Sequence, residues 1–205
     1  MPPMPTEPEI LDFIGQVARF YPDDAVAAPV TQQRIWYDAL CRAFDRPLPE
    51  GLDWQDGTEA GVPVRRYQPA QIRHEATVLY LHGGGFVVGS RDSHHAICGE
   101  IAATLGVALI AVDYRLAPEH RWPAASQDGA AVLDALLQAG RQVVLAGDSA
   151  GGQLAAGLAL QQDPGRLRGL ALVYPALGGD PHGGSYTQMA EAPGLSTQDV
   201  LYYRD

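Results

Sequence analysis

The chain has no lysine and no asparagine, only two cysteines, and no apolar run approaching the ~20 residues of a membrane span. Each absence removes a class of function. Without lysine, its glycine-rich stretches cannot form the G-x-x-x-x-G-K-[ST] phosphate loop, and they lack the G-x-G-x-x-G spacing as well. Arginine alone supplies the 14 basic residues, scattered apart from Arg65-Arg66 and Arg166/Arg168, against 24 acidic ones. The formal charge of −10 repels phosphate backbones and no basic patch interrupts it, so nucleic acid is not an expected partner. Cys41 and Cys98 lie far apart, which argues against a disulfide framework and for a reducing, cytoplasmic compartment. Met1 to Glu9 is proline-rich and acidic, without the positive and apolar regions of a signal peptide.

What is present fits one globular domain. The 205 residues are 46% apolar, and glycine (23) and proline (16) together stay below the share that marks low-complexity chains. Thr6-Glu7-Pro8-Glu9 has capping-box spacing ahead of Ile10, Phe13, Ile14 and Val17, which predicts a short amphipathic helix. A second helix, capped by Thr31, carries Ile35, Trp36, Leu40, Ala43 and Phe44 and stops before Pro47. From Gly61 the period changes. Val62 to Tyr67 alternates like a half-buried strand, and four apolar runs follow: Thr77 to Leu81, Val107 to Val112, Gln142 to Ala146 and Leu170 to Tyr174. Helix-length segments near 94–105, 124–139 and 151–162 separate them, which predicts an α/β fold with a mainly parallel sheet flanked by helices. Ligands of such sheets sit at the carboxyl ends of the strands, so the loops at His82, Asp113, Gly147 and Pro175 are the ones to inspect.

Gly147-Asp148-Ser149-Ala150-Gly151-Gly152 follows one predicted strand and opens a predicted helix, the required context of the G-x-S-x-G nucleophile elbow. A serine held on so sharp a turn needs small neighbours, and the positive end of the helix favours the charge that develops during acyl transfer. With the glycine and serine content of this chain the three fixed positions arise by chance about 0.07 times, so the pentapeptide alone is only moderately specific. Its bland reading is a glycine-rich turn with a solvated serine. A second feature decides between them: Leu81-His82-Gly83-Gly84-Gly85-Phe86 ends an earlier strand on the same face, and three glycines can turn unshielded N–H groups toward one point, as an oxyanion hole requires.

His82 to Phe86, then Asp113-Tyr114-Arg115-Leu116-Ala117-Pro118-Glu119-His120 with Trp122-Pro123-Ala124-Ala125, then Gly147 to Gly152 resemble, in order, the signatures of the hormone-sensitive-lipase family of α/β-hydrolases, which includes bacterial acetyl esterases. The resemblance runs from about residue 50 to the end. It implies an α/β-hydrolase fold with residues 1–50 as an N-terminal helical cap and 51–205 as the core. It also implies Ser149 as nucleophile and the N–H groups of Gly84, Gly85 and Ala150 as oxyanion donors, with Gly83 the lesser candidate. His82 then shapes the glycine loop, and the Tyr114 to His120 segment is structural. The implied substrate is a small-molecule ester, short-chain acyl or small aryl, hydrolysed without cofactor or metal.

A serine needs a histidine to take its proton and a carboxylate to orient that histidine, and in the α/β-hydrolase chain order both come after the serine. After Ser149 stand only Asp163, Asp180, Glu191, Asp199, Asp205 and one histidine, His182. In the family the acid and base follow two further strands, so the expectation is that the triad acid and histidine, with the last strands, are not in this chain. His182, on the glycine-rich loop Asp180-Pro181-His182, is the rival base. Three readings therefore stand: a serine esterase or lipase, a noncatalytic fragment or binding module that keeps the pocket, and an amidase or peptidase on the same fold. Self-association, or pairing through the open edge at Leu170 to Tyr174, is the expected protein contact. The pair His94-His95 points two ways on a helix and reads as surface or helix-start histidines rather than a metal site, and Trp36, Trp54 and Trp122 read as packing residues.

Overall fold

The computed structural model describes residues 5–22, 25–180 and 182–204. Pro181 and Asp205, named above, lie outside the described residues. The chain divides into two compact units, one of Asp45–Ala176 and one of Met1–Phe44 with Leu177–Asp205.

The Asp45–Ala176 unit is built on a six-stranded sheet of β1 (Leu52–Glu59), β2 (Val62–Pro69), β3 (Thr77–Leu81), β4 (Ala108–Val112), β5 (Val143–Asp148) and β6 (Gly169–Val173), in the order β1-β2-β4-β3-β5-β6. β2 runs antiparallel to β1 and β4, and β4, β3, β5 and β6 are parallel. The apolar runs of β3, β4 and β5 take the inner places because both of their faces are covered, whereas the fourth run, β6, is an edge strand with Leu170 and Val173 exposed. Leu79, Leu81 and Leu145 turn one way, onto Val132, Leu133 and Leu136 of α4 (Ala124–Gln138) and Leu154, Ala155 and Leu158 of α5 (Ser149–Leu160). Val78, Tyr80 and Ala146, at the intervening positions, turn the other way onto Cys98 and Ala102 of α3 (His95–Leu105). The result is the expected α/β layering, with Leu81 and Gly147 paired at the carboxyl ends of β3 and β5.

β1 was not among the expected strands. Its sequence, Leu-Asp-Trp-Gln-Asp-Gly-Thr-Glu, is mostly exposed and polar, and its partner is supplied by a two-residue turn. Ala60 and Gly61 both have positive φ, 51° and 82°, the geometry of a type I′ hairpin, which an Ala-Gly pair does not advertise. Arg65 on β2 is buried and ties the hairpin down: its Nε and Nη2 hold the Asp56 carboxylate at 2.7 and 3.0 Å, its Nη1 meets Asp92 at 2.8 Å, and its guanidinium lies 4.5 Å from the Trp54 ring.

The second unit contains α1 (Pro8–Val17), α2 (Val30–Phe44), α6 (Ser185–Gln188) and α7 (Thr197–Arg204). Residues 177–205 thus group with the N-terminal helices, whereas the sequence placed the boundary at residue 50 and kept 51–205 together. The link is a buried amide, since Gln33 Nε2 donates to the Ala28 carbonyl at 2.9 Å and to the Tyr202 hydroxyl at 3.1 Å. Two expected helix starts shift. The capping box does not form: Pro8 occupies the first turn, Glu7 is the N-cap without a side-chain bond, and Thr6 N–H turns to Glu7 Oε2. α2 begins before Thr31, because the Pro29 carbonyl already accepts the N–H groups of Gln32 and Gln33. Among the described residues no helix is long and apolar enough to cross a membrane.

Candidate active site

Ser149 is the first residue of α5 and has φ +49°, a left-handed conformation that L side chains rarely adopt. The turn is enforced by close backbone packing. A Cβ on Gly147 would lie 2.6 Å from the Gly151 and Leu81 carbonyl oxygens, one on Gly151 would collide with the Leu81 and His82 carbonyls, and one on Gly152 would lie 2.9 Å from Pro175 Cβ. β5, α5 and the end of β3 therefore approach more closely than any side chain allows, which explains each glycine of the pentapeptide and its neighbour. Among the described residues nothing hydrogen-bonds Ser149 Oγ.

The glycine loop leaves β3 beside this turn. Gly83 N–H donates to Asp148 Oδ1 at 2.9 Å, and Gly83 leaves no room for a side chain against the Asp148 carboxylate. Gly84 has φ +118° and its carbonyl accepts Val87 and Val88 N–H at 3.1 and 2.9 Å; Gly85 and Phe86 continue at φ +59° and +64°. Among the described residues the N–H groups of Gly84 and Gly85 meet no acceptor. Ala150 N–H, at the second position of α5, is one of the donors that a helix start leaves open. The loop is held from behind. His82 is buried, stacks on the Tyr114 ring with centroids 4.2 Å apart, and donates from Nδ1 to the Gly83 carbonyl at 2.8 Å. Burial, then the neighbouring His94, pushes His82 down to about 3, so it is neutral near pH 7. Tyr114 donates to the His82 carbonyl at 2.6 Å and Ala117 N–H to the Phe86 carbonyl at 2.8 Å. Arg115 forks onto Asp128 with Nη2 2.8 Å from Oδ1, so the Tyr114 to His120 segment braces the loop.

Beneath the serine lies a cluster that the motif reading passed over. Asp148 is buried, and its carboxylate accepts Tyr80 O–H at 2.9 Å, Gly83 N–H at 2.9 Å and His94 Nε2, 3.3 Å from Oδ1 and 3.4 Å from Oδ2. Burial alone would raise this carboxyl, but the bond and charge of His94, then Tyr80 and Gly83 N–H, outweigh it and hold the group below its usual value. His94 is therefore not a surface histidine; it is the N-cap of α3 and 4% exposed. His95 turns elsewhere, with Nδ1 2.8 Å from the Tyr67 hydroxyl and its ring 4.8 Å from that of Trp54. Trp36 packs edge-on against Tyr21, whereas Trp122 is 81% exposed and is not a packing residue. His182 belongs to the other unit, where its side chain is exposed and its backbone N–H donates to Asp180 Oδ1 at 2.9 Å.

A family model described as alpha/beta hydrolase fold matches residues 78–205. An ethyl acetate hydrolase of Pseudomonas putida is 41% identical over 128 residues, covering 56% of this chain and 40% of that protein. The esterase LipI of Mycobacterium tuberculosis is 37% identical over 163 residues, 72% of this chain and 50% of that protein. The chain spans half or less of the length of these curated relatives. The crystal structure of an esterase from the bacterial hormone-sensitive lipase family superposes with a TM-score of 0.80 at 30% identity, over 98% of this chain and 68% of that one. Matched in fold and in sequence, the chain belongs to the hormone-sensitive-lipase family of α/β-hydrolases.

Proposed function

We propose that the chain carries the nucleophile and oxyanion-binding groups of a carboxylic-ester hydrolase, with Ser149 as nucleophile and the N–H groups of Gly84, Gly85 and Ala150 as donors. The observation that carries this reading is the strained Ser149 turn beside a loop whose second and third glycine amides meet no acceptor among the described residues. A fold holds a non-glycine residue at φ +49° and leaves such amides open only where its surroundings over-determine them, and such places cluster at reactive sites. Ser149 Oγ would attack the ester carbonyl carbon while its proton passes to a base. The carbonyl π electrons move onto oxygen, where the amides receive the charge, and collapse expels the alkoxide, which takes a proton to leave as alcohol. Water then cleaves the acyl-serine by the same two steps. The name of the Pseudomonas putida relative supports a short acyl group, and the small aryl esters belong to the same class.

A second reading, a noncatalytic binding module, is favoured by one observation: among the described residues no base hydrogen-bonds Ser149 Oγ. Hydrolysis of a chromogenic acetate ester, beside its matched amide and a Ser149→Ala variant, separates the readings. Ester turnover that falls by about three orders of magnitude in Ser149→Ala supports the hydrolase. Saturable binding of the ester without turnover supports the module, and preference for the amide moves the activity to that leaving group. A cytoplasmic location and pairing of the β6 edge with a second chain complete the proposal; the oligomeric state in solution checks the latter.

A further inference from the structure

We propose that His94 carries a proton on both ring nitrogens and, as the counter-ion of buried Asp148, is a positioning residue for the glycine loop. Two independent counts of protons lead there. The first is at Nδ1, which lies 2.9 Å from Ser93 Oγ. Ser93 Oγ has one proton, and the Ser90 carbonyl also lies 2.9 Å away, while Ser90 N–H donates to Ser93 Oγ at 2.8 Å. If the hydroxyl proton went to His94, two oxygens would face each other at hydrogen-bond distance with no proton between them. Given to the Ser90 carbonyl, it leaves Ser93 Oγ an acceptor, and His94 Nδ1 must donate. The second count is at Nε2, which faces a carboxylate that can only accept.

The charge balance agrees. Asp148 is buried with two neutral donors, Tyr80 O–H and Gly83 N–H, and among the described residues His94 is the one basic side chain within ion-pair distance of it. An uncompensated buried carboxylate is costly, and an imidazolium spanning both oxygens removes that cost. The groups facing the pair do not supply the charge. The His82 ring, 5.5 Å from that of His94, is neutral, and Tyr80, Tyr114 and Cys98 are held protonated by burial. The consequence reaches the site through one bond. Asp148 holds Gly83 N–H, Gly83 opens the loop that carries Gly84 and Gly85, and the orientation of the carboxylate sets where that loop starts. His94 hydrogen-bonds neither the serine nor the proposed oxyanion donors, and its hydrogen-bonded route to the loop runs through Asp148.

The link to the oxyanion hole rests on the function proposed above, so the test uses no turnover. Nitrogen-15 spectra of the histidine rings in the unaltered chain at neutral pH should show both His94 nitrogens at the shift of protonated ring nitrogens. Asp148→Asn should return one of them to the shift of a nitrogen bearing a lone pair. In His94→Ala the Gly83 amide should exchange with solvent at least about tenfold faster while β3 amides stay protected, and His94→Gln should recover part of the loss. A lone-pair nitrogen on His94 in the unaltered chain overturns the proposal, even if no variant folds. Unchanged Gly83 exchange in His94→Ala overturns the positioning role. Were Ser149→Ala to leave ester hydrolysis untouched while these signatures held, the functional reading would fail and the ion pair would stand.

Discussion

Asp148 Oδ1 accepts the backbone N–H of Gly83 at 2.9 Å, so the residue before Ser149 fixes the first amide of the glycine loop. That bond divides the loop. Gly83 spends its N–H inside the fold, whereas among the described residues those of Gly84 and Gly85 meet no acceptor. It also makes the two motifs one object, because the strands that carry them, β3 and β5, are paired neighbours.

The glycines of the turn are expected to be irreplaceable for steric reasons rather than chemical ones. Gly147→Ala and Gly151→Ala press Cβ onto backbone atoms and should each lower stability by about 3 kcal/mol or more, read from urea midpoints. Gly157, in the same helix as Gly151, has nothing within 4 Å of its would-be Cβ, and Gly157→Ala should stabilise by about 0.5–1 kcal/mol. Equal effects at the three positions would contradict the packing described for this turn.

The left-handed backbone at Ser149 has its own signature. Ser149→Gly and Ser149→Ala both remove the hydroxyl, but only glycine adopts φ +49° without cost. The glycine variant should be about 1 kcal/mol more stable than the alanine variant in thermal or urea denaturation. An alanine variant as stable as the glycine one would mean that the turn is not strained in solution.

Acid should weaken the fold through His82. The ring is held down to about 3 by burial, while an unfolded histidine titrates near 6.5, so below about 6.5 the unfolded chain binds more protons than the native one. The stabilisation is full above that pH and is lost as the pH falls toward 3, with a slope of about 1.4 kcal/mol per pH unit for one proton. His95, lowered by burial and by Arg65, adds in the same direction. Urea midpoints at pH 6, 5.5 and 5, where the unfolded histidines are charged, should fall in order, and less steeply in His82→Gln; a flat profile would show that the ring is not buried neutral.

His182→Ala should change ester turnover by less than about twofold, since an exposed ring on a glycine-rich loop is poorly placed to act as a base. Steady-state kinetics check this, and a loss of several orders of magnitude would make His182 the base.

Much of this was legible in the sequence where one physical signal dominates. The apolar runs became β3, β4 and β5 because a strand covered on both faces has no polar side to show, the run at Leu170 became the apolar edge strand β6, and the strand–turn–helix setting of Ser149 follows from its glycines. β1 was not legible, since Trp54, Gln55 and Asp56 alternate on an exposed edge and the Ala60-Gly61 turn is chosen by the hairpin rather than by its own residues. The grouping of 177–205 with the first helices depends on Gln33 meeting Tyr202, a contact 169 residues apart in sequence. His94 was hidden by its neighbour. Read as a pair, His94-His95 raises the question of a metal, whereas each ring answers to a different partner, Asp148 for one and Tyr67 for the other. The available signal was an Asp preceding the serine, a group whose burial under the turn calls for a counter-charge.

If Ser149 is the nucleophile, an activated phosphonate ester should trap it covalently. The protein is incubated with an activated phosphonate ester, digested, and mapped by mass spectrometry. One phosphonyl adduct on the Ser149 peptide, absent from Ser149→Ala, is the expected result. No adduct, or an adduct on another residue that persists in Ser149→Ala, would mean that Ser149 is not the nucleophile.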